Sequence, residues 1–84
     1  MSYLEKSFGI ADATKAERAA YHRRAREIDR DCGSLAGIVN MANDYLREMC
    51  GREITRADRL ELVAIATAYG EREARYNAAC ERNA

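Results

Sequence analysis

The sequence predicts an all-α fold, a small three-helix up-down-up bundle with a short extra helix at its N-terminus. Three observations predict this class. The chain has no proline and few β-branched residues, and Ala, Arg, Glu and Leu, which favour helices, dominate its composition. Apolar residues recur at the i, i+3, i+4, i+7 spacing of amphipathic helices. Serine, threonine and glycine stand where helices would begin and end.

Length and composition indicate one small, ordered domain over residues 1–84. A chain of 84 residues buries only about 60–65% of its unfolded surface, so its core is small. The sequence is 48% apolar and 33% charged, which is typical of folded chains. Fourteen basic and fourteen acidic residues give a net charge of zero. Bulk charge therefore gives no reason to expect non-specific nucleic-acid binding.

The sequence also favours an intracellular location. No apolar run approaches the ~18 residues of a membrane span, and no signal-peptide pattern precedes the first helix. Cys32, Cys50 and Cys80 form no C-x-x-C pair, as expected for reduced thiols in a cytoplasmic protein. Each cysteine extends the apolar stripe of its helix, and all three are predicted to be buried.

The first helix is predicted over residues 3–8. Ser2 and Glu5 match a capping box, and Gly9 with Ile10 suits a Schellman ending. A helix of two turns is unstable alone. Its large side chains are expected either to dock on the core or to anchor a partner. These side chains are Tyr3, Leu4 and Phe8.

The second helix is predicted over residues 15–31, beginning at a capping box formed by Thr14 and Glu17. Its apolar stripe is narrow, wide enough to contact one neighbour. The stripe comprises Tyr21, Ala25, Ile28 and Cys32.

The third helix, predicted over residues 35–50, has the most regular apolar pattern, with Ser34 as N-cap and Gly51 after its end. Eight apolar residues fall within roughly 140° of arc. They are Leu35, Ile38, Val39, Ala42, Tyr45, Leu46, Met49 and Cys50. This helix is predicted to be the centre of the core, paired with the second helix in an antiparallel hairpin because their connection is short.

The fourth helix is predicted over residues 56–82, after a cap formed by Thr55 and Asp58, with Gly70 as a candidate kink position. Its middle is apolar on two sides. Leu62, Ile65 and Tyr69 share one side, and Leu60, Val63 and Ala64 share the other. The bundle can cover one side. We assign Leu60, Val63 and Ala64 to a face that docks the first helix or a second copy of the chain.

Catalysis, a metal site and a cofactor are not expected. His22 is the only histidine, and Ser2 and Ser34 are better explained as helix caps. Nucleophilic catalysis needs a nucleophile beside an oriented base. The scattered cysteines match no zinc-binding spacing.

The clearest candidate site is a basic stripe on the second helix. At helical spacing its five residues fall within about 100° of arc, and Asp29 near its edge is expected to neutralise part of it. These residues are Lys15, His22, Arg23, Arg26 and Arg30. Like charges three or four residues apart destabilise a helix. The stripe is either a contact surface for phosphates or an acidic protein, or a solvated face that binds nothing.

A second hypothesis is a helix-turn-helix built from residues 46–50, Gly51 and the helix after Thr55. Arg52, Arg56 and Arg59 would then face DNA. Arg47 stands against it, because it occupies a position where this motif needs a small residue. The zero net charge also weakens the hypothesis.

These observations predict a small non-enzymatic protein-binding module that acts by occupancy. Its partner would be a protein with an acidic or nucleic-acid-binding surface. By analogy of size, small inhibitors carried by phages or mobile elements, which block a host nucleic-acid-handling defence complex, belong to this class. The alternative is a sequence-specific DNA-binding regulator.

Overall fold

A computed structural model describes residues 3–82, and every regular element in that range is a helix. The helices are α1 (Tyr3–Ser7), α2 (Lys15–Cys32), α3 (Leu35–Met49) and α4 (Arg56–Arg82). The fold is therefore all-α. Each helix end lies within one residue of its predicted position, and α4 continues through Gly70.

Local caps explain where α2 and α3 begin. The Thr14 hydroxyl accepts a hydrogen bond from the Glu17 amide at 3.1 Å, and the Glu17 carboxylate accepts one from the Thr14 amide at 2.9 Å. The Ser34 hydroxyl accepts from the Gly37 amide at 3.0 Å. These bonds satisfy amides that have no partner within the helix. Both predicted caps are confirmed.

Helix α1 ends as predicted and is fixed by one buried carboxylate. Gly9 has φ +76°, and the Ile10 amide donates to the Glu5 carbonyl at 2.8 Å, as in a Schellman motif. The Glu5 side chain is 1% exposed. It accepts from Arg18 Nε at 2.9 Å and from the Tyr21 hydroxyl at 2.7 Å, which joins α1 to α2. The predicted box with Ser2 lies outside the described residues.

Helix α4, not α3, is the central helix, because α4 packs against each of the other three. Ion pairs join α2 to α4 at three levels: Glu17–Arg56, Arg24–Glu61 and Asp29–Arg72. The buried core residues are Ile10, Ala13, Tyr21, Ala25, Ile28, Ile38, Val63, Ala64, Ile65 and Ala68. The prediction that α3 is central was wrong because an apolar stripe does not show how many neighbours cover it.

The apolar stripe of α3 is covered on one side only. Ile38 is 1% exposed and Met49 6%, whereas Val39 is 42% and Leu46 51% exposed. The exposed side of α3 has no cover because the bundle is small and leaves no further helix for it.

Burial of the cysteines was also predicted wrongly for two of three, since Cys50 and Cys80 are exposed and Cys32 is half-buried.

The face assigned to docking or dimerisation requires a correction. Val63 and Ala64 are fully buried inside the chain, and Leu60 is half-buried against the same core. A residue that the monomer already buries has no surface to offer a second copy. The opposite side of α4, around Leu62 and Tyr69, is the one that borders α1 and remains partly open.

Candidate functional site

The outer face of α2 carries the predicted basic stripe, and all five of its side chains are exposed. We call this set, Lys15, His22, Arg23, Arg26 and Arg30, the basic face. Within residues 3–82, no carboxylate lies within ion-pair distance of Lys15, Arg23 or Arg26. In the same range, Arg30 forms its one ion pair with its neighbour Asp31, at 3.2 Å, and both side chains are exposed. The guanidinium donors of Arg23 and Arg26 therefore remain available to a partner.

His22, a member of the basic face, lies against the ring of Tyr21. Its imidazole centroid is 4.6 Å from the Tyr21 ring centroid, with the two planes tilted by 31°. Tyr21 is buried, and its hydroxyl donates to Glu5. This contact orients the exposed His22 imidazole.

Three of the four acidic residues of α2, Glu17, Glu27 and Asp29, pair with arginines outside the basic face. Asp29 was expected to neutralise part of the stripe, but its carboxylate accepts from Arg72 and Arg75 of α4, each at 2.8 Å. The hydrogen bond from Arg72 holds the pKa of Asp29 below its usual value. Glu27 likewise pairs with Arg24 at 3.3 Å. Among the described residues, Asp31 is the acidic residue of α2 that pairs with the basic face, through Arg30.

The three arginines proposed to face DNA are all held within the protein. Arg52 binds both carboxylate oxygens of Asp58, at 2.7 and 2.9 Å. Arg56 binds Glu17 at 2.8 and 2.9 Å, and Arg59 donates to the Phe8 carbonyl at 3.0 Å. We call Arg52, Arg56 and Arg59 the corner arginines. Each of them has at least one acceptor within the chain, and Arg52 and Arg56 bind a carboxylate through two nitrogens.

Asp58, at the start of α4, is the acceptor for Arg52, and the sequence predicted only its capping role. Besides Arg52, the carboxylate accepts from the Tyr45 hydroxyl at 2.7 Å and from the Thr55 amide at 2.9 Å. The Arg52 guanidinium above all, then the Thr55 amide, hold the pKa of Asp58 far below its usual range. A carboxylate that stays ionised and has its oxygens occupied is suited to a structural role, not to proton transfer.

A groove between α1, α3 and α4 has an almost wholly apolar lining, and the sequence did not predict it. It encloses about 450 Å³. Its lining comprises Leu4 and Phe8 from α1, Ile38, Val39, Ala42 and Leu46 from α3, and Leu62, Ile65, Ala66 and Tyr69 from α4. We call it the apolar groove. The sequence indicated part of this groove, because Leu62, Ile65 and Tyr69 form one apolar side of α4. Helical periodicity could not show that the residues of α3 in the groove are left exposed.

Comparison of this chain with protein-family models, with curated proteins and with solved structures gives no match. In the part of the chain that the structure describes, no helix has the length and apolar character needed to cross a membrane.

Proposed function

We propose that this protein is a small, non-enzymatic protein-binding module that acts by occupancy, with the basic face of α2 as its contact surface. One observation carries the proposal: Arg23 and Arg26 are exposed and have no carboxylate partner within residues 3–82, in a protein whose other arginines are largely paired. An arginine fork without an internal acceptor is well suited to carboxylates or phosphates of a partner.

The arrangement of the helices supports the proposal. The ion pairs between α2 and α4 occur in the same order along both helices, and Tyr45 near the end of α3 contacts Asp58 at the start of α4. We infer an up-down-up bundle of the three long helices with α1 across it. In such a bundle the basic face points away from α4 and is presented on a rigid helix.

The partner class follows from the chemistry of the basic face. Exposed guanidinium groups without competing carboxylates suit an acidic protein surface, or a nucleic-acid-binding complex that already handles phosphates. A phage or mobile-element inhibitor of a host defence complex is one member of this class. We place the activity in the cytoplasm, since unpaired cysteines suit a reducing compartment.

The alternative, a DNA-binding regulator that uses the corner arginines, is less well supported. Arg52, Arg56 and Arg59 each have an internal acceptor, and losing it would weaken the start of α4. Fluorescence anisotropy with duplex DNA at about 50 mM salt tests this alternative, because phosphate contacts are strongest at low salt. Absence of binding there removes the DNA hypothesis.

Quantitative capture from a cell extract tests the proposal, with three baits compared by mass spectrometry. The first bait is the wild-type chain, the second carries Arg23→Glu with Arg26→Glu, and the third carries Arg47→Glu. Arg47 is the control, because its side chain is 81% exposed on α3 and its one ion pair among the described residues is with Asp44, at 3.7 Å.

We expect one set of proteins to be retained by the wild-type and Arg47→Glu baits and reduced at least about tenfold on the double variant. Loss of a charge-assisted hydrogen bond is typically worth about 1.5–3 kcal/mol, which corresponds to a reduction of this size. Equal capture by all three baits would contradict the proposal and leave the basic face as a solvated surface.

A further inference from the structure

The apolar groove separates two helices that pack on α4 but not on each other. Helices α1 and α3 both contact α4, yet no Cα atom of α1 lies within 8 Å of a Cα atom of α3. None of the lining residues comes from α2. The α3 side is the more exposed wall, since Val39 is 42% and Leu46 51% exposed. The groove is therefore a gap between α1 and α3, with α4 as its floor.

Two unpaired charges of opposite sign lie on the groove side of α4. At 100° per residue, the positions 59, 62, 66, 69 and 73 fall within roughly 80° of arc. Leu62, Ala66 and Tyr69 line the groove, and Arg59 and Glu73 lie one turn before and one turn after them. Both charged residues are exposed, and neither lies within ion-pair distance of an opposite charge in residues 3–82. The groove thus has a positive end and a negative end.

The positive end is fixed beside the groove by a hydrogen bond. Arg59 Nη1 donates to the Phe8 carbonyl at 3.0 Å, and Phe8 itself lines the groove. Within the described chain this is the one hydrogen bond of the Arg59 side chain, so most of the five guanidinium N–H donors stay open. A carboxylate can therefore be bound at this end while Arg59 keeps its contact with the end of α1.

We propose that the apolar groove binds an amphipathic α-helix of a partner protein, with a carboxylate near Arg59 and a basic side chain near Glu73. This surface is separate from the basic face, which lies on α2. Helices that bind in grooves present apolar side chains at the i, i+3, i+4, i+7 spacing. Positions 59 and 73 are 14 residues apart, which is about 21 Å along α4. The bound helix therefore carries opposite charges about four turns apart, with apolar residues between them.

The two charges favour a helix over a smaller apolar ligand. A fatty acid has one anionic group, so it would pair with Arg59 and leave Glu73 unpaired. A helix carries both charges, and its diameter of about 10 Å lets it contact the walls formed by α1 and α3 together. Acidic residues in the first turn and basic residues in the last turn also stabilise a helix itself. The charge pattern that suits the groove is thus one that favours helix formation in the partner.

Fluorescence anisotropy with labelled synthetic helices tests the proposal on the full chain. Each probe has about 18 residues, a length that supports helix formation, with leucines on one side. The first has glutamate in its first turn and lysine in its last turn, the second has glutamate at both ends, and the third has lysine at both ends. We expect the first to bind about three- to tenfold more tightly than the others, because each of those replaces an attraction with a repulsion. Leu46→Glu, in the groove wall, should weaken it at least about tenfold.

Variants of the two charges test their roles separately. Glu73→Lys makes both ends of the groove positive, so its preference should change to the probe with glutamate at both ends. Arg59→Glu should change the preference to the probe with lysine at both ends. Glu71→Lys is the matched control, because Glu71 is exposed on the same helix about 160° around from Glu73. It should bind all three probes as the wild type does, and circular dichroism checks that each variant is folded.

Three results would overturn the proposal. The first is no binding of any probe by the wild-type chain up to ~1 mM. The second is equal affinity for the three probes, or a change in preference in Glu71→Lys as large as that in Glu73→Lys. The third comes from sedimentation velocity of the chain without a probe. A dimer that Leu46→Glu converts to a monomer would show that a second copy, and not a partner helix, occupies the groove.

Discussion

The basic face of α2 and the start of α4 are both rich in arginine, but the two regions differ in how many of their guanidinium groups have internal acceptors. Arg52 and Arg56 each bind a carboxylate through two nitrogens, whereas Arg23 and Arg26 lie within ion-pair distance of none in residues 3–82. Residue type is therefore a poor guide to function here. Whether folding brings an acceptor to the guanidinium decides whether an arginine stabilises the domain or is available to a partner.

The same contrast holds for apolar residues along α3. Ile38 and Leu46 are both part of its predicted stripe, yet Ile38 is 1% exposed and Leu46 is 51% exposed. Ile38 faces the core, and Leu46 forms a wall of the apolar groove. We expect substitutions on the two sides of each contrast to separate effects on stability from effects on binding.

The largest effect is expected from Ile38→Ala. Removing a buried branched side chain leaves a cavity, so the free energy of unfolding should fall by about 2–5 kcal/mol. Leu46→Ala, the control on the same helix, should cost about 1 kcal/mol or less because Leu46 is half exposed. Urea unfolding followed by circular dichroism, at a dilution where the chain is monomeric, measures both. Equal losses would mean that Leu46 is covered in the monomer.

The next effect is expected from Asp58→Asn at the corner. The substitution removes the charge that holds Arg52 and weakens the cap of α4, so the melting temperature should fall by roughly 5–10 °C. Asp44→Asn is the control, because Asp44 is 73% exposed and lies 3.7 Å from Arg47. It should change the melting temperature by about 2 °C or less. A similar small change for Asp58→Asn would show that the corner is not structural.

Acid should weaken the link between α2 and α4. Hydrogen bonds from Arg56 and the Thr14 amide lower the pKa of Glu17 from 4.5 to about 2. The unfolded chain therefore takes up this proton at a higher pH than the folded chain does. Stability contributed by Glu17 is present above about pH 4.5 and is lost as the pH falls towards 2.

Glu17→Gln should make the free energy of unfolding less dependent on pH within that window, as measured by urea unfolding at several pH values. Glu48→Gln is a suitable control, since Glu48 is exposed and has no ion-pair partner in residues 3–82. An unchanged pH dependence in the Glu17 variant would contradict the role of the Glu17–Arg56 pair.

The smallest effect on stability is expected from Arg23→Gln with Arg26→Gln. Neither side chain has an internal carboxylate partner among the described residues, and removing two nearby like charges relieves repulsion. The free energy of unfolding should change by no more than about 0.5 kcal/mol, with an increase as the expected sign. Thermal melting checks this. A clear loss of stability would show that the basic face has a structural partner.

Local chemistry made the helices predictable, and long-range contacts explain what was missed. Thr14 and Glu17 cap α2 through atoms three residues apart, so the sequence contains the whole interaction. Asp29, by contrast, is held by Arg72 from 43 residues away, and no local pattern pairs them. The exposure of Leu46 likewise depends on which helices lie beside α3. The basic face was predictable as a pattern, but its lack of internal partners required the fold.

The most direct test compares how fast individual arginines react with a dicarbonyl reagent, in the free protein and in complex with a captured partner. Mass spectrometry of the peptides gives the rate for each side chain. We expect Arg23 and Arg26 to react faster than Arg52 and Arg56 in the free protein, and to be protected in the complex while Arg47 stays reactive. Equal rates for the two clusters, or unchanged reactivity of Arg23 and Arg26 in the complex, would contradict the account.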